Sequence, residues 1–193
     1  MEEEKGGAQS NWELVRFGII AVLIVIPVRL FIAQPFIVSG SSMVPTFSNG
    51  DYLIVDEISY KFEKPERYDV IIFRFPTNHK KYLIKRIIGL PQESVDLKGA
   101  LVTITSRGHS KGVVLDQPFI KNSSSSSGHW ELGDNEYFVM GDNRPASSDS
   151  RFWGPVAHDL IVGRAFLRLL PIKHADILPG DYEQVEEMNP VRD

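Results

Sequence analysis

The stretch Tyr68–Leu90, YDVIIFRFPTNHKKYLIKRIIGL, holds two runs of β-branched, aliphatic and aromatic residues, separated by a segment with proline, asparagine and lysine. Runs of this length and composition, bounded by turn-forming residues, are typical of β-strands. Five other runs share this character, and they cover residues 51–58, 100–105, 112–116, 136–142 and 161–170. After residue 36, no long segment repeats its apolar residues with the 3.6-residue period of a helix. The sequence therefore predicts a mostly β domain with antiparallel strands, either a barrel or a system of folded sheets.

The sequence has 193 residues, a formal net charge of -4 and no cysteine. This length is sufficient for one domain with a buried core and a short appendage. The mild charge gives no indication of a nucleic-acid partner. Without cysteine, disulfides, thiolate nucleophiles and cysteine-based metal sites are excluded. The five histidines show no HExxH spacing, so we expect neither a metal nor another cofactor, although one histidine could still serve in a catalytic triad.

An apolar run, FGIIAVLIVIPVRLFIA, occupies residues 17–33 and carries one charge, Arg29. At 1.5 Å per residue, a helix over residues 17–36 would cover roughly 30 Å, the thickness of a hydrocarbon core. We therefore predict a single transmembrane helix over 17–36, preceded by a polar segment over 1–16, with the lipid bilayer as a partner. One alternative is a buried core helix, which the lack of an amphipathic pattern disfavours. Another is a cleaved signal peptide, which the acidic residues before the run and the lack of an A-x-A site after it disfavour.

The rest of the sequence divides into a folded domain, an elaboration and a tail. Residues 37–175 contain the predicted strands. Within them, residues 91–136 are more polar than their flanks and include KNSSSSSGHW at 121–130. A run of five serines is typical of a flexible loop, so we predict a small inserted β lobe over 91–136 with a mobile loop. The polar residues 176–193 are predicted to form a peripheral tail.

A serine-rich turn, SGSSMVPT, follows the apolar run at residues 39–46. A serine hydroxyl becomes a useful nucleophile only when a base removes its proton. A lysine can be that base if burial disfavours its charged form, and Lys85 lies between apolar neighbours in YLIKRIIGL. In a strand, the adjacent Arg86 would face the opposite side. The alternative is an ordinary strand whose two basic residues lie at a solvent-exposed edge.

A second polar cluster, GDNRPASSDSRFWGP, directly follows an apolar strand and covers residues 141–155. The sequence Gly-Asp-Asn indicates a tight turn. Ser147, Asp149 and Arg151 stand at alternate positions and would share one face of an extended chain. The segment is either a hydrogen-bonded structural loop or the support of a functional site.

Three of these segments, SGSSMVPT, YLIKRIIGLP and GDNRPASSDSRFWGPV, resemble the sequence boxes of type I signal peptidases, the membrane-anchored Ser–Lys endopeptidases. They occur in the order of that family, behind an apolar segment. NGDYLIVDEISY at 49–60 and ERYDVIIFRFP at 66–76 are weaker matches. Together the matches cover most of residues 34–90 and 137–165. The resemblance implies the family's mostly β protease core, which is shared with the self-cleaving SOS repressors.

The resemblance also assigns roles to individual residues. It implies that Ser42 is the nucleophile and that Lys85 is the general base. Ser147 would hydrogen-bond the lysine amine and orient it, and Asp149 with Arg151 would form a supporting salt bridge. No metal or cofactor is implied for this chemistry.

Two positions depart from the family pattern. Gly40 stands where some members have a serine whose hydroxyl contributes to the oxyanion hole, so backbone N–H groups, foremost that of Ser42, would have to form the hole. Tyr68 stands where glycine is more common in the family. The resemblance further implies that four residues line shallow apolar substrate pockets, with core packing as the alternative: Phe36, Val38, Met43 and Ile84.

The implied function is that of a membrane-bound serine endopeptidase that cleaves signal peptides from exported pre-proteins after small residues at positions −1 and −3, through an acyl-enzyme. The protein would span the plasma membrane once, with its catalytic domain on the extracytoplasmic side. One alternative is a relative of the self-cleaving repressors, which need an N-terminal DNA-binding module, and no helix-turn-helix pattern is found before the apolar run. Another is a membrane-tethered β binding module without catalysis, which would leave the combination of Ser42, Lys85 and Ser147 unexplained.

Overall fold

The computed structural model describes residues 6–27, 33–109 and 111–182. After the N-terminal helix, the described chain is mostly β-strand, with one four-residue α-helix. In chain order the elements are α1 Gly6–Pro27, β1 Ala33–Ile37, β2 Tyr52–Asp56, β3 Val70–Phe75, β4 Asn78–Gly89, β5 Glu93–Lys98, β6 Leu101–Ser106, β7 Val113–Val114, β8 Ser127–Glu131, β9 Glu136–Met140, α2 Ser150–Trp153, β10 Val156–Ala157, β11 Ile161–Leu170 and β12 Asp176–Ile177.

The strands form two sheets. The larger has eight strands in the order β1-β2-β11-β3-β4-β9-β10, with β12 paired to β11, and the smaller has the order β7-β6-β5-β8. Every strand pair in the described residues is antiparallel. The prediction of a mostly β, antiparallel domain is therefore confirmed. The small sheet lies within 91–136, the segment that is more polar than its flanks.

Strand β4 is the element that carries Lys85. It pairs with β3 along most of its length, with Lys85 opposite Ile71. Strand β9 pairs with β4 only from Arg86 to Gly89, so the second edge of β4 before Arg86 pairs with no other strand of the described chain. Because successive side chains of a strand point to opposite faces, the side chains of Lys85 and Arg86 lie on opposite faces of the sheet.

Three clusters of buried apolar side chains form the core. One joins the two sheets, since it contains Ile88 of β4, Val95 of β5 and Phe138 of β9. A second packs the connection between β1 and β2 onto the large sheet through Met43 and Phe47. Complete burial of one such side chain stabilises the fold by roughly 1.5–3 kcal/mol. The turn that holds the candidate nucleophile is thus anchored by its own apolar residues.

The N-terminal helix differs from the prediction in its boundaries. α1 covers Gly6–Pro27, so it includes part of the segment predicted to be a polar extension, while Ala33–Ile37 form β1. The prediction of helix over 33–36 was wrong because these residues satisfy their backbone hydrogen bonds by pairing with β2. Residues 28–32 lie outside the described residues. No helix in the described part of the chain is long and apolar enough to cross a membrane.

Two segments predicted to be mobile or peripheral pair with strands of the domain. Residues 127–130, the end of the segment predicted to be a loop, belong to β8 of the small sheet, because β5 offers them an edge for pairing. The beginning of the predicted tail forms β12, which is exposed at the surface and pairs with β11, and the Gly180 carbonyl accepts a hydrogen bond from Arg86. Residues 183–193 lie outside the described chain.

Candidate active site

Ser42 lies on the turn between β1 and β2, and the local sequence fixes the shape of this turn. Gly40 has φ +99°, a conformation that costs little for glycine and is unfavourable for other residues. Its N–H donates to Asn49 Oδ1 at 2.9 Å. On the other side of Ser42, Met43 and Phe47 are 1% and 0% exposed. The turn is therefore held between a hydrogen bond and a hydrophobic anchor, with Ser42 between them.

Lys85 reaches Ser42 from strand β4. Its Nζ donates to Ser42 Oγ at 2.8 Å, although the two residues are 43 positions apart in the sequence. A second hydrogen bond, also of 2.8 Å, runs from Nζ to the Ile84 carbonyl. The Lys85 residue is 3% exposed. These distances are those expected between a nucleophile and its general base.

The surroundings of Lys85 favour its neutral form. Burial lowers the pKa of Lys85 to about 8, although Asp149 and Asp142 act in the opposite direction. Desolvation is the largest cause because an ammonium group loses its hydration in this environment. Near neutral pH, a useful fraction of Lys85 can therefore accept a proton.

Ser147 is next to this pair but does not contact the amine as expected. Its side chain is buried, and Oγ has no hydrogen-bond partner in the described residues. The hydrogen bonds of Lys85 Nζ go to Ser42 and Ile84 instead, so the predicted Ser147–Lys85 hydrogen bond is not formed. Ser147 packs close to Gly141. A side-chain carbon added at Gly141 would overlap the Ser147 side chain and the Ser42 carbonyl oxygen.

Asp149 and Arg151 form the expected ion pair by a different geometry. Arg151 Nε and Nη2 lie 2.7 Å and 2.9 Å from the two carboxylate oxygens of Asp149. The residues do not share the face of an extended chain, because Asp149 is the N-cap of α2 and Arg151 lies within that helix. Asp149 also accepts the Gly141 N–H at 3.1 Å. The pair thereby holds the loop that contains Ser147.

Asn143 is a contact of the nucleophile turn that the sequence analysis did not single out. Its N–H donates to the Ser42 carbonyl at 2.9 Å, and its Nδ2 donates to the Ser41 carbonyl at 3.0 Å. Asn143 lies within Gly-Asp-Asn-Arg at 141–144, and its place in this predicted turn was the only feature of the sequence that pointed to a role for it. Two hydrogen bonds from one residue therefore fix the peptide groups on both sides of Ser42.

A groove beside Ser42 runs between β1 and the unpaired edge of β4. It has a volume of about 120 Å³ and is lined by Phe36, Ile37, Val38, Ser39, Ser42, Leu53, Ile72, Tyr82, Leu83, Ile84 and Lys85. The rings of Phe36 and Tyr82 pack edge to face with centroids 5.4 Å apart. Three of the four predicted pocket residues thus face this groove. Met43 does not, because its side chain is buried in the core under the turn, and its predicted role in a pocket was wrong.

The backbone around Ser42 limits which groups could bind an oxyanion. Gly40 offers no side chain, and its N–H is already bonded to Asn49.

Among the described residues, no group of three or more histidine, aspartate or glutamate side chains could hold a metal ion. The site contains a serine hydroxyl, a lysine whose pKa is lowered to about 8, and backbone amides, and groups of these kinds can carry out acyl transfer.

One family of known proteins matches most of this chain. A family model described as signal peptidase, peptidase S26, matches residues 11–170. The chain belongs to this signal peptidase family. It is therefore a serine endopeptidase, and the resemblance seen in its three sequence boxes is confirmed at the level of the family.

Individual members of the signal peptidase family align over most of the chain. Probable signal peptidase I-2 of Synechocystis sp. is 34% identical over 191 residues, covering 95% of this chain and 84% of the relative. Signal peptidase I V of Bacillus subtilis is 35% identical over 161 residues, covering 76% and 91%. A crystal structure of a signal peptidase I from Enterococcus faecalis aligns with 28% identity and a TM-score of 0.43, covering 53% of this chain and 97% of that one.

Proposed function

We propose that this protein cleaves signal peptides from exported pre-proteins, with Ser42 as nucleophile and Lys85 as general base. The observation that carries the proposal is the 2.8 Å contact between Lys85 Nζ and Ser42 Oγ. The contact alone would suit a structural hydrogen bond. Together with the burial that lowers the pKa of Lys85 to about 8, it suits proton transfer.

The reaction begins when neutral Lys85 accepts the Ser42 proton as Oγ attacks the scissile carbonyl. The lysine then protonates the leaving amine, and an acyl-enzyme remains on Ser42. In the second half, Lys85 takes a proton from water, which hydrolyses the ester and restores the serine. The hydrogen bond from Nζ to the Ile84 carbonyl holds the amine in place through both halves.

The oxyanion would be bound by backbone N–H groups. The Ser42 N–H is the foremost candidate because its peptide is fixed by Asn143. A preorganised donor of this kind contributes about 2.7–4 kcal/mol to transition-state stabilisation in the serine protease subtilisin. Neither Ser39 nor Ser41 is assigned a part in the hole.

Substrate would bind as an extended strand in the groove. Both β1 and the first half of β4 border the groove, and an added strand could pair with either edge. The small volume of the groove, about 120 Å³, suits the small side chains expected at substrate positions −1 and −3. Phe36, Val38 and Ile84 would provide the apolar contacts.

We further propose that the protein is attached once to the plasma membrane through the apolar run 17–33, with the site on the extracytoplasmic side. In the part of α1 whose side chains are described, large apolar residues are exposed, among them Phe17, Ile19, Val22 and Leu23. A contiguous exposed apolar surface is unfavourable in water and typical of a membrane or protein interface. Ile37, at the rim of the groove, is 68% exposed and would extend this surface toward the site.

The direct test is cleavage of a purified pre-protein with an A-x-A site, followed by mass analysis of both products. Wild type should cut after the second small residue, while Ser42→Ala and Lys85→Met should be inactive but folded. Ser41→Ala is the matched control and should retain activity. Cleavage by either Ser42→Ala or Lys85→Met would refute the assigned role of that residue, and a folded wild type that binds but never cuts would favour a binding module.

A further inference from the structure

A second cavity lies apart from the groove, between the small sheet and the loop that follows β9. Its volume is about 360 Å³. One wall is apolar and is formed by Leu115, Ile120 and Met140, while Arg144 and Lys121 line the remainder with polar groups. No carboxylate is found among the described lining residues. The cavity therefore combines an apolar wall with positive charge that is not balanced inside it.

Arg144 is the central feature of this cavity. The residue is 3% exposed, and it forms no salt bridge with any described residue. Its Nε donates to the Gly141 carbonyl at 3.0 Å, and its Nη2 donates to Gln117 Oε1. Both acceptors are neutral, and Nη1 has no hydrogen-bond partner in the described chain. A buried guanidinium without a carboxylate is unfavourable, and burial lowers the pKa of Arg144 to about 10.

The nearest carboxylates are already paired. Asp142 binds Arg86 through both oxygens, and Asp149 binds Arg151 in the same way. Arg144 and Lys121 bring the number of cations to four, and Asp116, which accepts a hydrogen bond from Tyr182 and stands between the lining residues Leu115 and Gln117, is a third carboxylate. This leaves an excess of about one positive charge at this end of the domain, which a phosphate anion would neutralise.

Hydroxyl groups complete the cavity. Ser123 and Ser124 line it, and Ser124 Oγ accepts a hydrogen bond from Arg151 Nη1 at 2.6 Å. Ser124 Oγ also lies 3.1 Å from Ser126 Oγ, and either hydroxyl could be the donor in that contact. When Ser126 donates, the Ser124 proton is available to a ligand. The serine-rich segment thus brings donors to the same space as the open Nη1 of Arg144 and the ammonium of Lys121.

We propose that this cavity binds a phosphate group through Arg144, Lys121 and the hydroxyls of Ser123 and Ser124. Guanidinium, ammonium and hydroxyl donors converging on one space match a tetrahedral oxyanion. The apolar wall leaves room for the carbon part of a phosphate ester. The phosphate could be free inorganic phosphate or the headgroup of an anionic lipid, and the site does not depend on peptidase activity.

Thermal unfolding of the full-length protein in detergent tests the site with inorganic phosphate as the probe. Sodium chloride of equal ionic strength gives the baseline. The unfolding temperature should rise saturably with phosphate in wild type and in Lys64→Met, a matched control with the same charge change at an exposed residue that does not line the cavity. Binding should weaken at least tenfold in Lys121→Met and in Arg144→Met; Lys121 is exposed, so its variant stays informative if loss of Arg144 impairs folding. Equal responses to phosphate and chloride, or equal responses in all four proteins, would overturn the proposal.

Vesicles of phosphatidylglycerol distinguish the two sources of phosphate. If the lipid headgroup occupies the cavity, Lys121→Met should bind these vesicles more weakly than Lys64→Met, and inorganic phosphate should compete in wild type. If the two variants bind vesicles equally while Lys121→Met alone loses inorganic phosphate, the site is supported and its ligand is free phosphate.

Discussion

Arg86 and Asp142 form a buried bidentate ion pair on the face of β4 opposite the contact between Ser42 and Lys85. Arg86 Nε and Nη2 lie 2.9 Å and 2.7 Å from the two oxygens of Asp142, and Arg86 is fully buried. Thr46 of the nucleophile turn also donates to Asp142. The pair therefore connects three segments: strand β4, which carries Lys85, the turn that holds Ser42, and the loop after β9.

Breaking this pair on one side should be costly. Arg86→Met leaves Asp142 buried and partly unpaired, so we expect the free energy of unfolding to fall by about 3–5 kcal/mol. Urea denaturation measures this loss. The matched control is Arg107→Met, which breaks the Arg107–Asp134 pair of 3.9 Å between side chains 76% and 75% exposed and should cost less than about 0.5 kcal/mol. Comparable losses in both variants would contradict the importance of burial here.

The peptidase reaction should depend on pH through Lys85. In the proposed mechanism the neutral amine is the active base, so kcat/KM should rise tenfold per pH unit up to about 8 and then level off. The rise comes from deprotonation of the free enzyme. Initial rates with a peptide substrate from pH 6 to 10 measure the profile. If kcat/KM instead levels off near pH 6.5, the ordinary pKa of histidine, the base is a different residue.

Replacing Lys85 should stabilise the protein while abolishing catalysis. The pKa of Lys85 falls from its ordinary value of 10.5 in the unfolded chain to about 8 in the folded protein, so the unfolded chain holds the proton more tightly. Stability is therefore lost as pH falls from 10.5 toward 8, and the full cost is present below 8. This cost is about 3 kcal/mol for such a shift, less the value of the hydrogen bonds that Lys85 makes.

Lys85→Met should accordingly unfold at higher urea concentration than wild type at pH 7, and this advantage should shrink by about 3 kcal/mol as the pH rises toward 10.5, where the ordinary lysine pKa lies. Lys81→Met, at an exposed position of the same strand, is the control and should show no such pH dependence. A Lys85→Met protein less stable than wild type at pH 7 would mean that the lost hydrogen bonds outweigh desolvation.

Gly141→Ala should impair catalysis more than folding. A side-chain carbon at residue 141 would overlap Ser147 and the Ser42 carbonyl, and displacement of the nucleophile by about 1 Å can cost on the order of 100-fold in rate. We expect a lower kcat with little change in KM. Gly133→Ala is the control because its new carbon would meet only the flexible end of Glu136. Equal kcat values for the two variants would contradict the tight contact.

The contact between Ser42 and Lys85 was predictable because both residue types are unusual in their settings. A lysine between apolar residues of a strand and a serine at a turn both stand out, and the structure places them in contact. Met43 was not predictable, since an apolar residue beside the nucleophile could face either the groove or the core. The Asp149–Arg151 pair was expected, but its geometry depends on a helix cap that alternation in the sequence does not reveal.

Contacts between distant segments were the least predictable. Gly180 accepts a hydrogen bond from Arg86 across 94 positions, and the polar sequence around it gave no signal of docking. Residues 33–36 continue an apolar run, and composition alone does not distinguish the end of a helix from an edge strand such as β1. Strands β5 and β8 alternate polar with apolar residues, but their mixed composition resembles that of loops.

Tyr68 occupies a left-handed conformation, with φ 73°, at the position where glycine is more common in the family. This conformation costs a non-glycine residue roughly 1–2 kcal/mol. The ring offsets that cost, since it packs edge to face on Phe119 and Tyr182, and its hydroxyl donates to the Asp116 carbonyl at 2.8 Å. The tyrosine thus attaches the inserted lobe and the segment around Tyr182 to the strand that leads to the site.

Tyr68→Gly should therefore destabilise the protein, although it relieves backbone strain. Loss of a buried aromatic side chain costs about 3–5 kcal/mol, which exceeds the relief, so we expect a net loss of about 2 kcal/mol or more in urea unfolding. Gln92→Gly is the matched control, because Gln92 is also left-handed, with φ 66°, but is exposed. It should be neutral or slightly stabilising. If Tyr68→Gly were as stable as Gln92→Gly, the contacts of the ring would only offset the backbone strain at residue 68 and would add no net stability.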